Sequence, residues 1–123
     1  MDNANIRQTT GLQVFYNENE NVNVRTQVIN DEPWFVAKDV AMALNITWSG
    51  HTLDNIPNEW TQMVKLTING SDGGVSDIRR MTLINEAAVY KLAFRSNKPE
   101  ADRFVNWVTG TVLPSIRKLL DKQ

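Results

Sequence analysis

The 123-residue chain contains no cysteine. That single absence removes disulfides, thiolate metal sites and cysteine nucleophiles, and it suits a reducing cytoplasm. Histidine occurs once, as His51, so a two-histidine metal motif cannot be assembled. No apolar run approaches 18 residues, and the opening MDNANIRQTT lacks the charged-then-apolar layout of a signal peptide. No membrane association is expected. Ser49, Ser71, Ser76, Ser96 and Ser115 all lie outside a G-x-S-x-G setting, and the Gly-rich NGSDGG lacks the lysine of a phosphate-binding loop. The carboxylates Glu18, Glu20, Asp31, Glu32 and Asp72 fall in polar turns, where solvation explains them better than paired acid–base work. The sequence therefore offers no catalytic constellation, no metal set and no cofactor motif, and a non-enzyme is expected.

What is present is a set of grouped apolar residues, 41% of the chain, at a length that suits one domain. The expected organisation is a flexible terminus over 1–11, a single domain over 12–120 and a short tail over 121–123. The period of two in VNVRTQVI places Val22, Val24, Thr26 and Val28 on one face and Asn23, Arg25 and Gln27 on the other. With Leu12 to Tyr16 before it and Trp34-Phe35-Val36 after the turn Asn30-Asp31-Glu32-Pro33, it predicts a three-stranded antiparallel meander. Gln62 to Ile68 and Val75 to Ile84 predict a hairpin.

Between and after these strands the period changes. Val40, Ala41 and Leu44 predict a helix of about two turns, with Asp39 in the first turn and Asn45 as a left-handed terminator. A second short helix is predicted over Trp48 to Ile56, stopped by Pro57. Asn85 reads as the cap of a helix through EAAVYKLAFRS, and Pro99 as the first turn of another. In that last helix Ala101, Phe104, Val105, Val108 and Val112 share a face, Gly110 and Pro114 should end or kink it, and a final turn should bury Ile116, Leu119 and Leu120. The fold class is thus α+β: short antiparallel strands, as meander plus hairpin, packed with about four helices.

Charge is unevenly placed. Residues 1–77 hold 4 Lys/Arg against 10 Asp/Glu, whereas residues 78–123 hold 9 against 4, so the C-terminal half should supply a basic face. Arg79 and Arg80 fall on a predicted strand. Lys91, Arg95, Ser96, Lys98 and Arg103 fall on or between the later helices, and Arg117 and Lys118 flank them. Lys91 and Arg95, four apart on a helix, repel each other mildly unless a counter-charge or phosphate lies nearby, a placement easier to understand if an anion is the partner. Separately, WFVAKDVAMALNITWSGHTLDNI has the layout of a helix-turn-helix. Its second segment would bring Thr47, Trp48, Ser49 and His51, with Lys38 from the first helix, toward bases or a protein partner.

Three blocks carry a family resemblance: Trp34-Phe35-x-Ala37-x-Asp39-Val40; Asn85-Glu86 with Tyr90, Leu92, Ser96 and Lys98 to Ala101; and Phe104 with Trp107-Val108, Val112 to Pro114 and Ile116-Arg117. In this order and register the chain resembles the N-terminal domain of the BRO family, found in phage antirepressors and in proteins of large DNA viruses. The resemblance implies double-stranded DNA binding, transcription regulation in phage or prophage biology within the bacterial cytoplasm, and no catalysis. It departs in NITWSGHTLDNIPNEW, which holds no Lys or Arg where family members usually carry a more basic segment. The alternative is a protein–protein module that binds and inactivates a repressor, with Trp48 and Trp60, if exposed, as anchors. Homo-oligomerisation is compatible with either.

Overall fold

The computed structural model describes residues 12–69 and 75–121, with the side chains of 66–69 and 75–79 left out. The expectations for 1–11, for the tip of the NGSDGG loop and for 122–123 lie outside the described residues. Strands β1 (Gln13–Asn17), β2 (Val22–Ile29), β3 (Glu32–Val36), β4 (Thr61–Asn69) and β5 (Val75–Asn85) form one sheet in the order β1-β2-β3-β5-β4, every neighbour antiparallel. Meander and hairpin are joined by the pairing of β3 with β5. Turn chemistry sets the register. Asn30 and Asp31 have φ of 53° and 65°, the left-handed pair that a two-residue hairpin between Ile29 and Glu32 requires. Asn17 accepts the N–H groups of Asn19 (3.0 Å) and Glu20 (3.3 Å), closing the β1–β2 turn.

The period of two divides the sheet. Val24, Phe35 and Ile84 face the helices and belong to the main core, with Val22 and Val28 packed against it. Trp34, Val36 and Leu83 make a smaller buried cluster on the opposite face. Helix α1 (Ala37–Ala43) buries Ala37, Val40, Ala41 and Ala43. Its end is a Schellman motif: Ile46 N–H donates to Ala41 O (2.8 Å) and Asn45 N–H to Met42 O (3.1 Å), with Asn45 at φ 60°. Helix α2 (Glu86–Arg95) starts where Asn85 accepts the Ala88 N–H at 3.0 Å, and buries Ala88, Val89 and Leu92. Helix α3 (Pro99–Trp107) buries Ala101 and Phe104.

Three expectations are corrected. The helix over Trp48 to Ile56 does not form. Instead Thr52, Asp54 and Ile56 donate to Ser49, His51 and Leu53, three residues back, and no α ladder develops. Local side-chain bonding explains this: the Thr52 hydroxyl donates to Thr47 O and accepts the Ser49 N–H, both at 2.8 Å, competing with helical bonding in a stretch that also contains Gly50. Second, of the end or kink expected at Gly110 and Pro114, the end does not occur. The chain passes through a π turn (Val108–Val112) into α4 (Leu113–Asp121), because the wider turn accommodates the proline ring and its missing N–H. The four helices are therefore three bodies, the last two being continuous. Third, Ile116 is buried and Leu120 packs against the core, but Leu119 is exposed.

One interaction closes the strand-to-helix corner. β2 and β3 are paired from Ile29–Glu32 up to Thr26–Phe35, after which β3 turns into α1. At that point the Asp39 carboxylate takes the place of the strand. Its Oδ2 accepts the Arg25 N–H (2.9 Å) and Nε (2.8 Å), and its Oδ1 accepts Nη2 (2.8 Å). This hydrogen bonding raises the Arg25 pKa further, against the opposing effect of burial. Asp39 also sits in the first turn of α1, where the helix dipole favours it.

Replacing Asp39 with Ala strands a half-buried guanidinium and an N–H, and is expected to cost about 2–3 kcal/mol in urea unfolding, with Asp39→Asn intermediate. Asn85→Ala should cost about 1 kcal/mol by the same measurement. The Tyr90 hydroxyl donates to Glu86 Oε2 at 2.7 Å; burial first, then this carboxylate, push its pKa up from 10.0 to about 12. Folding thus favours the neutral phenol. The contribution is complete below pH 10 and is lost as pH rises through about 12, so Tyr90→Phe should flatten the alkaline limb of a stability–pH curve.

Candidate nucleic-acid interface

Helix α2 presents Lys91 and Arg95 one turn apart, and Lys98 follows where the chain breaks before α3. The segment from Leu44 to Trp60, connecting α1 to β4, runs back along this row. Lys91 Nζ stands 5.9 Å from the centre of the Trp60 ring. Arg95 Nη1 donates to Thr52 O at 2.6 Å. Lys98 Nζ donates to Asn45 O at 3.3 Å, and the Ser96 hydroxyl donates to Leu44 O at 3.2 Å. Two parts of the sequence-predicted site, the α2–α3 bases and the Thr47–His51 stretch, are thereby brought together. Thr47, Ser49 and His51 are exposed on the connector.

The electrostatics of this row differ from those of the other arginines. Carbonyl oxygens and an indole ring carry no net charge, so they fix Lys91, Arg95 and Lys98 without cancelling them. Among the described residues, none of the three forms an ion pair with a carboxylate. By contrast, Arg103 Nε donates to Glu20 Oε2 at 2.7 Å, toward the β1–β2 turn and away from the row. That hydrogen bond, then the charge of Glu20, raises the Arg103 pKa.

The remaining predicted residues are dispersed. Arg80 is exposed on β5, directly opposite Lys65 of β4, on the sheet face that the helices cover nearer Ile84. Two cations facing each other across a ladder destabilise it unless an anion intervenes. Lys65 was missed by the sequence reading; its signal is visible only once the hairpin register pairs it with Arg80. The Arg79 side chain lies outside the described residues. Arg117 and Lys118 are exposed on α4, and Arg117 acts electrostatically on Tyr90. Lys38 is exposed on the first turn of α1.

One further expectation changes. Trp48 and Trp60 are half-buried against the core, so neither is the exposed anchor that the protein–protein reading needs. The first turn of α3 already carries Glu100 and Asp102, and Ala101 N–H donates to Lys98 O at 3.0 Å. His51 Nδ1 lies 3.0 Å from Asp54 Oδ2 on the exposed surface, an arrangement that orients a surface imidazole. No group of three or more His, Cys, Asp or Glu residues fit to hold a metal occurs among the described residues. Nor is any described helix long and apolar enough to cross a membrane.

A family model described as the BRO family, N-terminal domain, matches residues 23–114. An uncharacterised protein of Haemophilus influenzae is 37% identical over 87 residues, a match covering 71% of this chain and 41% of that protein. The chain thus corresponds to less than half of that relative's length. No solved structure matches the chain. The matched span runs from β2 into the start of α4 and takes in the corner, the connector and the cationic row, and the chain belongs to the BRO family through its N-terminal domain.

Proposed function

We propose that the chain is a DNA-binding regulatory domain of the phage or prophage antirepressor type, and that it grips duplex phosphates along the row Lys91, Arg95 and Lys98. The observation that carries this reading is that three cations on one face are held in place by neutral acceptors. At Arg25 and Arg103, by contrast, a carboxylate partner offsets the cation's charge. The row ends at Trp60, directly before β4, so the Lys65–Arg80 pair extends the same basic surface along the hairpin. Thr47, Ser49 and His51 border the row with donors and acceptors but no Lys or Arg. Such a surface positions the domain on the backbone, and base reading is left to these short polar side chains. Ser96 serves here as a support, since its hydroxyl holds Leu44 O.

Fluorescence anisotropy with a random duplex at several salt concentrations tests the reading. Binding should weaken steeply with salt, and Lys91→Ala or Lys98→Ala should each reduce the log–log slope by about 0.9. Arg103→Ala, which removes a cation already paired with Glu20, should leave the slope unchanged. A flat salt response, or equal effects from all three variants, would count against the row.

A further inference from the structure

The two edges of the sheet are built differently. β4 carries Lys65, and its pairing with β5 shifts register between Ile68 and Asn69. Charge and irregularity are the ordinary means of keeping a free edge from pairing with another chain. β1, at the other edge, is QVFYN, with no charge, no proline and no bulge. Among the described residues it pairs with β2 alone. Its outward side chains Val14 and Tyr16 are 59% and 54% exposed. Leu119 of α4, also exposed, stands beside it across an open cleft of about 360 Å³ that Val14 and Phe15 help to line. Three of the six large apolar side chains exposed among the described residues therefore gather at this one edge.

We propose that β1 is a self-association edge at which a second copy of this chain pairs antiparallel, joining two five-stranded sheets about a two-fold axis. The sequence of β1 fits itself when Phe15 lies on the axis. Val14 then faces Tyr16 of the copy, Tyr16 faces its Val14, and Gln13 faces its Asn17. A β-branched residue opposite an aromatic is a favourable cross-strand pair, and the absence of charge means that nothing in the strand repels its own image. Phe15, on the helix side, meets its image next to the Leu119 cleft. The register commits the proposal to a second copy, because an unrelated strand would have no reason to match this pattern.

Sedimentation equilibrium of the full chain over a wide concentration range provides the test. A reversible rise to twice the monomer mass is expected, little affected by salt because no ion pair is involved. Val14→Lys and Tyr16→Glu should each hold the mass at that of the monomer. The double variant V14K/Y16E should dimerise again, because each lysine then faces a glutamate of the copy. Met63→Lys on the opposite edge should dimerise like the unaltered chain, and thermal melting confirms that each variant is folded. A monomer at every concentration, dimerisation unaffected by V14K, or a double variant that stays monomeric would overturn the proposal. Since this readout involves no DNA, its failure is separate from that of the DNA-binding reading.

Discussion

The clamp between Asp39 and Arg25 is the constraint on which the rest of the structure depends. It meets three needs with one carboxylate: the next donor of the β2 ladder, a guanidinium beside the sheet, and the positive end of α1. Without it, a β2 N–H and a guanidinium would lose their partner where β3 leaves the sheet, and the first turn of α1 would lose its acid. With it, α1 lays Val40 and Ala41 onto the core and delivers the carbonyls just past its C-terminus to one place. Those carbonyls, Leu44 O and Asn45 O, are the ones that Ser96 and Lys98 take up. The corner thus determines where the connector begins, and the connector determines how the cations of α2 are held.

This dependence gives a physical meaning to the family blocks. Asp39 in the first block is a structural acid, and Asn85 in the second is a helix cap that also pairs with Trp34 across β3 and β5. Phe104 in the third is buried, with its ring 6.0 Å from that of Trp107. The blocks therefore specify a scaffold, and the row of bases is arranged on it. Ser96 and Lys98, which belong to the second block, serve both ends: their contacts hold the connector, and Lys98 adds to the charge.

Local signals in the sequence were legible wherever a physical rule acts over a few residues. The alternation in β2 showed which side chains face the helices. Asn30-Asp31 marked the hairpin, Asn45 the end of α1, and Asn85 the start of α2, each through a short-range backbone requirement. What the sequence did not show are contacts between distant segments. Arg25 and Asp39 are 14 residues apart, while the contacts of Arg95, Ser96 and Lys98 with the connector span 43, 52 and 53. Within the connector, the weak apolar period of Trp48 to Ile56 suggests a helix, but the Thr52 hydroxyl, bonded at both ends, outweighs it. Arg103 looked like one more base until the fold brought Glu20 to it. Charge counting locates a basic half, but only the fold shows which cations are neutralised.

The central claim is that the α2 row and the connector together form the surface that meets DNA. Amide hydrogen exchange of the chain with and without a duplex addresses it most directly, because it reports where protection falls along the backbone. The account predicts that protection gained on binding concentrates in residues 44–54 and 91–98, and that it fades as salt is raised. Protection confined to α4 around Arg117 and Lys118, with the connector unchanged, would contradict it.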